Sequence, residues 1–353
     1  MIRYLLFFYF LFYSNVGYSQ NWTLIWSDEF NGNILDNNKW GHDVGTGSQF
    51  GLWGWGNGEL QFYQPQNTQV ENGIATITVK EEPGGLVDSW GNTSYYSSSK
   101  ITTKNIFDFR YGKVEARIKT LDGQGFWPAF WLLPVNGNWP CDGEIDIMEQ
   151  WGNNYLTNST TGAAHIGTCP FNQSTHNYEN FSVYLSNGSY ADEFHTYSII
   201  WTEDTITWYV DEDEIFRVTP YSYNSIPSLN SWPFNSGSWY IMINLAITQS
   251  GPNANTVFPN SIEIDYVKVY QNSLTNVEEN KYINVYFDNI SSILKSNNII
   301  KNFRLYTIDG KLIVNKENLK SKSIKLKNLK EGVYLVEVED VLGEINNSKI
   351  IIN

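Results

Sequence analysis

The segment "GEIDIMEQ" at residues 143–150 sets three carboxylates, Glu144, Asp146 and Glu149, into six positions with apolar side chains between them. Like charges held this close cost free energy unless they share a task. Paired carboxylates suit one kind of chemistry: an ionised oxygen attacks a carbon centre while a protonated partner assists the leaving oxygen. The interval is uneven, two residues and then three. On a strand side chains alternate, so Glu144 and Asp146 share a face and Glu149 points away. One bulged residue at Ile147 or Met148 restores the parity and brings Glu149 beside the other two.

With that bulge Glu144 and Glu149 are effectively four positions apart, about 13 Å between Cα atoms at ~3.3 Å per residue. Inward-leaning side chains then leave the carboxylates ~5–6 Å apart, a spacing for glycoside hydrolysis with retention rather than the wider gap of inversion. Asp146 can hydrogen-bond a nucleophile and raise the pKa of an acid. The residue order does not say which end attacks. Two other readings compete, an exposed acidic strand and a calcium site. Calcium prefers a loop of Gly, Asn and backbone carbonyls to a strand carrying Ile and Met.

Two neighbouring segments, "GLWGWGNGELQFY" and "GQGFWPAFWLLP", concentrate Trp, Gly and amide or acid groups. Aromatic faces cover the apolar faces of pyranose rings, and Asn and Glu hydrogen-bond hydroxyls. Trp127 and Trp131 are four apart with Pro128 between, which argues against a helical pair; on a strand they share a face. Any single Trp can be core packing. All 14 Trp fall between Trp22 and Trp239, within one acidic region, and that weighs against core packing for all of them.

The elements that must position these groups read as strands. "GIATITVK", "YGKVEARIKT", "TYSIIWTEDTITWYVDEDEIFRV", "WYIMINLAI" and "IEIDYVKVYQ" alternate with period two between Gly, Asn, Asp and Pro clusters. Sustained helical periodicity is absent, so residues 20–272 are expected to form an all-β jelly roll sandwich. "DEDE" at 211–214 is expected to be a solvated hairpin turn without a catalytic role. Cys141 and Cys169 flank two strands around "GNNYLTNST", and an antiparallel hairpin there brings both sulfurs to one end, so a disulfide is expected.

Residues 20–274 hold 10 basic against 27 acidic side chains, a net of −17, which repels phosphate and excludes nucleic acid as a partner. From residue 275 onward the balance reverses to 12 basic against 10 acidic, with no Trp. Residues 273–282 read as a linker and 283–353 as a small C-terminal β domain, in which Asp309-Gly310 between alternating runs signals a hairpin. The first 19 residues, one Arg followed by an apolar run and small residues flanking Tyr18, read as a signal peptide cleaved after Ser19. No later stretch is apolar for long enough to span a membrane. A secreted monomer is expected.

At "GEIDIMEQ" the chain resembles glycoside hydrolase family 16, with its Glu-x-Asp-x-x-Glu strand. "WSDEFNG", "GWGNGELQFY", "YGKVEARIK", "FWPAFWLLP", "DEFHTYSIIWT", "ITWYVD", "MINLAI" and "IDYVKVYQ" resemble successive family segments in order, from about 22 to 271. The resemblance implies a concanavalin-like jelly roll with a concave cleft and a retaining mechanism. It implies Glu144 as nucleophile, Glu149 as acid/base and Asp146 as the assisting residue. Within the family the segment "WGNGELQ" and the extra residue before the last Glu look most like laminarinases, which cut internal β-1,3-glucan bonds. The same matching implies cleft positions for Asn57, Glu59, Trp127, Trp131, His165 and Asn244. It implies no cofactor for catalysis, and a structural calcium ion at Glu29, Gly73 and Asp265. Two departures stand out: "TQSGPNANT" follows "NLAI" where the family has Gly-Gly, and Lys100 stands where laminarinases usually have Arg. The tail resembles the C-terminal sorting domain of type IX secretion, by "YTIDGKLI" and "LKEGVYLVEV". That implies the type IX machinery as a partner beside the β-glucan. Mixed-linkage glucan, a marine galactan, or silent glucan binding on the same fold are the alternatives.

Overall fold

The computed structural model describes residues 22–152, 158–223, 232–272, 285–288, 292–327, 329–341, 343 and 345–352. The leader at 1–19 and the linker at 273–282 lie outside the described residues, as does part of the "GNNYLTNST" turn. The chain divides into two compact units, one of them Trp22–Gln271 and the other containing Asn272–Asn353.

Trp22–Gln271 is an all-β jelly roll sandwich. Its seven-stranded sheet runs, from one edge to the other, Asn177–Tyr184, Ser159–Ile166, Glu144–Glu149, Phe126–Pro134, Trp239–Ile247, Lys100–Thr102 and Gly41–Asp43. Every neighbouring pair in it is antiparallel. The second sheet has ten strands, among them Gly112–Lys119, His195–Trp201, Ile206–Val210 and Asn260–Asn272. The period-two runs become these strands because alternation puts one apolar face of each sheet against the other. Ile77, Val114, Ile118, Phe130, Ile145, Ile199, Ile243 and Val267 fill the layer between them. The only helices among the described residues are 3-10 turns of three or four residues, as the missing helical periodicity predicts.

The "DEDE" turn is real but shorter than expected. Asp211 and Glu212 form it, both with positive φ, while Asp213 and Glu214 already belong to the strand Asp213–Val218. Asp211 is not merely solvated: its carboxylate accepts from His195 Nδ1 at 2.6 Å and from the Thr196 amide at 2.8 Å. A charge run read from sequence shows its exposure and hides its partners.

In the tail a six-stranded sheet is built on Ile293–Thr307 and Gly332–Asp340, with its own core of Leu294, Phe303, Leu305, Val336 and Val338. The expected Asp309-Gly310 hairpin joins Ile293–Thr307 to Leu312–Lys316, with Gly310 at φ 83°. No helix among the described residues is long and apolar enough to cross a membrane.

Candidate active site

The acid strand is bulged where the uneven spacing requires it. Against Phe126–Pro134 the register slips between Asp146, opposite Trp131, and Met148, opposite Phe130. Against Ser159–Ile166 it slips between Asp146 and Glu149. As a result Glu144, Asp146 and Glu149 stand opposite His165, Ala163 and Thr161, three positions of one face. The bulge explains why two apolar residues sit in a row: Ile147 and Met148 are both buried, and Glu149 is thereby returned to the cleft side. One transverse row then crosses the sheet through Ser182, Thr161, Glu149, Ala129, Asn244, Lys100 and Asp43.

A bulge breaks the ladder locally, so its backbone groups need other partners. The Asp146 carbonyl accepts from the indole N–H of Trp208 at 2.9 Å. Trp208 is fully buried and comes from Ile206–Val210 in the opposite sheet. On the neighbouring strand Gly162 leaves room for that same carbonyl: a Cβ there would lie 2.8 Å from it. The kink that aims the acids is thus held from two sides by residues outside the acid strand.

The three acids share an electrostatic problem. Burial pushes Glu144 well above the ordinary carboxylate range, and the neighbouring Asp146 charge adds to it, while His165, when charged, and Lys100 pull it back. Burial raises Asp146 to about 7, with a hydrogen bond to Glu144 acting the other way. Burial and then the Asp146 charge raise Glu149 to about 8, against the indole N–H of Trp127, which donates to its Oε1 at 2.9 Å. The cluster cannot hold three negative charges at neutral pH. The protons are shared among neighbouring carboxyls, so one acid can be ionised while another stays protonated, as an attack-and-assist pair requires.

To one side of the acids lies a chain of hydrogen bonds that runs from exposed Asn57 to buried Tyr63 and Asn244. Glu59 accepts from Gln61 Nε2 at 2.6 Å, Tyr63 OH at 2.9 Å and Asn57 Nδ2 at 3.4 Å. The Tyr63 oxygen accepts from Asn244 Nδ2 at 3.0 Å, and Asn244 Oδ1 accepts from Trp131 Nε1 at 2.7 Å. Lys100, almost fully buried, points its ammonium at the face of Trp55, 3.9 Å from the ring centre, with Tyr63 and Trp131 beyond. Burial lowers its pKa, and Glu59, Asp43 and Glu144 partly restore it. Trp127 stacks on Trp151 with ring centres 4.3 Å apart.

To the other side His165 reaches Asp146 Oδ2 with Nε2 at 3.0 Å and His176 Nε2 with Nδ1 at 3.0 Å. Tyr178, Trp139 and Phe171 continue the row of rings. The Cys141–Cys169 disulfide, S–S 2.09 Å and Cα–Cα 5.5 Å, ties the loop before the acid strand to the loop after Ser159–Ile166.

All six sequence-derived cleft positions, Asn57, Glu59, Trp127, Trp131, His165 and Asn244, fall into this arrangement, by hydrogen bond or by contact with an acid. Sequence reading passed over Gln61 and Tyr63 as individuals, although the alternation of Glu59, Gln61 and Tyr63 in "ELQFY" carries the signal. It gave no hint of Trp208, His176 or Trp151.

Metal ligation is a weaker fit. The donor atoms of Glu144, Asp146 and His165 lie within 4.8 Å of one another, but a cation there would displace the His165–Asp146 contact. At the expected calcium position, Gly73 adjoins the Glu29 carbonyl, its Cβ direction 3.9 Å from that oxygen. The side chains of Glu29 and Asp265 are paired with Lys268 at 3.1 Å and Arg117 at 2.5 Å. Calcium there would compete with Lys268 and Arg117 for these two carboxylates.

Comparison with known proteins agrees with this geometry. The family model for glycosyl hydrolases family 16 matches residues 59–243. Glucan endo-1,3-beta-glucosidase A1 of Niallia circulans is 37% identical over 263 residues, covering 70% of this chain and 38% of that protein. The chain therefore spans well under half the length of that relative. A beta-glucanase of Rhodothermus marinus is 32% identical, covering 71% of this chain and 86% of its own length. Among solved structures, an endo-beta-1,3-glucanase of Pyrococcus furiosus superposes with a TM-score of 0.64 at 35% identity, covering 71% of this chain and 94% of that one. The bulged acid strand, the family match and these relatives agree, and the chain belongs to glycosyl hydrolases family 16.

Proposed function

We propose that this chain hydrolyses internal β-1,3-glucosidic bonds of laminarin-type glucans with retention of configuration. The observation that carries the reading is the bulge register, which sets Glu144, Asp146 and Glu149 on one face opposite His165, Ala163 and Thr161. Ionised Glu144 attacks the anomeric carbon while Glu149 gives its proton to the departing glycosidic oxygen. The product is a glycosyl ester on Glu144 and a shortened glucan. Glu149, now a carboxylate, takes a proton from water, and the resulting hydroxide displaces Glu144 to complete the cycle. Asp146 keeps Glu144 oriented. The names of the relatives from Niallia circulans and Pyrococcus furiosus favour the β-1,3 bond over other linkages. A binding protein without activity has no need of both end acids, and both are in place.

The reading extends to location. The leader at 1–19 and the sorting-like tail at 283–353 support export through a type IX route, which detection of a trimmed product outside expressing cells would test.

Glu144→Ala or Glu149→Ala should lower laminarin hydrolysis by on the order of 10³-fold while leaving the fold intact. Near-normal turnover in both would contradict the assignment. A reducing-sugar assay on laminarin, lichenan, agarose and carrageenan fixes the polymer, with laminarin turned over fastest.

A further inference from the structure

Buried polar atoms in folded proteins nearly all have hydrogen-bond partners, so unpaired ones are informative where they gather. Among the described residues five buried side-chain atoms have no partner in the protein: Ser98 Oγ, Thr120 Oγ1, Gln150 Oε1, His195 Nε2 and Tyr197 Oη. The last four belong to one end of the layer between the sheets, and Gln150 directly follows the acid Glu149. We propose that Thr120, Gln150, His195 and Tyr197 bind one internal water, and that this water braces Gln150 and so positions the end of the acid strand. The positioning role rests on the catalytic reading above; the water site does not.

The four side chains are linked through Thr120 and Leu121, which follow the strand Gly112–Lys119. The Thr120 amide donates to the Tyr190 carbonyl at 3.3 Å. The Tyr190 ring packs on both His195 and Tyr197, with ring centres 4.8 and 6.1 Å away. His195 and Tyr197 alternate along one strand, so both take the core-facing side that Ile199 and Trp201 continue. In the other sheet, at the end of the acid strand, Gln150 donates its Nε2 to the Leu121 carbonyl at 3.3 Å. All four residues are buried, Tyr197 completely.

The mixture of atoms selects the ligand. Asp211 Oδ2 accepts from His195 Nδ1 at 2.6 Å, so the neutral ring presents Nε2 as an acceptor. Gln150 Oε1 is a second acceptor, and the Thr120 and Tyr197 hydroxyls are two donors. A metal ion would need acceptors only, and an anion donors only. Water gives two hydrogens and accepts two, which matches the set one for one. Unpaired, each atom would carry the full cost of its desolvation.

Thr120→Val and Tyr197→Phe nearly keep the side-chain shape and delete one donor each. Each should lower Tm by about 3 °C. The double variant should lose less than the sum, because both hydroxyls serve the same water. On laminarin each single variant should lose about threefold in kcat with KM unchanged. An unchanged or raised Tm in either single variant is what an unhydrated hydroxyl gives, and it overturns the site. Additive losses in the double variant overturn the sharing of one water, and a lowered Tm with wild-type kcat overturns the positioning role. If the double variant does not fold, the single variants decide. A crystal structure of the wild-type chain reads the site directly: solvent density within ~3 Å of the four atoms is expected, and its lack overturns the proposal. The melts and the density need no substrate, so they decide the water site even if the glucanase reading fails.

Discussion

On the Phe126–Pro134 side of the acid strand, the side chains are held by hydrogen bonds that depend on one another: Glu59 fixes Tyr63, Tyr63 fixes Asn244, and Asn244 fixes Trp131. On the Ser159–Ile166 side they are held by contacts between rings, the outer ones borne by loops and joined by a crosslink. The first side is mostly buried and built on strands, so its geometry is set when the sheet forms. The second is half-exposed and gains its order from a covalent bond. Hydrogen-bonded polar networks fail sharply when a member is lost, because the others are left unsatisfied. Ring contacts fail gradually. The two sides should therefore answer differently to mutation: loss of one hydrogen-bonding group disturbs the whole first side, and loss of one ring disturbs only its neighbours.

The largest expected effect is on the hydrogen-bonded side. Glu59→Ala removes the acceptor of three donors and should lower kcat/KM about 100-fold, equally on short and long oligosaccharides. A loss confined to long substrates would erase the distinction between the two sides.

Next in size is the kink between them. Trp208→Phe keeps the ring and removes the N–H that holds the Asp146 carbonyl. It should cost roughly 1–2 kcal/mol of stability and about tenfold in kcat, with little change in KM. Trp201→Phe is the matched control, since Trp201 is as buried and donates to the Phe234 carbonyl at 2.9 Å rather than to the acid strand. It should lose similar stability and keep kcat. Equal kcat losses in both variants would mean that the Trp208 bond is only structural.

The smallest effect is on pH dependence. Glu149 titrates at about 8 in the folded chain, above its unfolded value of about 4.3. The folded state then binds more protons than the unfolded one between those values, so this group's contribution to stability falls as pH rises through that window. Glu149→Gln removes the fall, and its Tm relative to wild type should be higher at about pH 9 than at about pH 5. Wild-type activity should decline on the alkaline side near about 8, where the acid loses its proton.

Much of this was legible in the sequence because the signals are local. Period-two runs gave the strands, and the odd spacing of Glu149 gave the bulge before any neighbour was known. The two cysteines gave their own pairing through the hairpin between them. What escaped notice comes from distant chain segments. Nothing near Trp208 says that its indole serves a carbonyl 62 residues away, and nothing near Asp211 shows that His195 turns to meet it. Lys100 stood out only as a departure from the family's Arg. Its near-complete burial beside Trp55 depends on how Lys100–Thr102 pairs with Trp239–Ile247 and Gly41–Asp43.

The proposed mechanism requires the bulge to bring Glu144 and Glu149 to the two sides of one bond at retaining distance. Proton NMR of the first sugars released from laminarin, read before mutarotation, tests this most directly. Initial accumulation of the β-anomer is the predicted result; the α-anomer appearing first would contradict it.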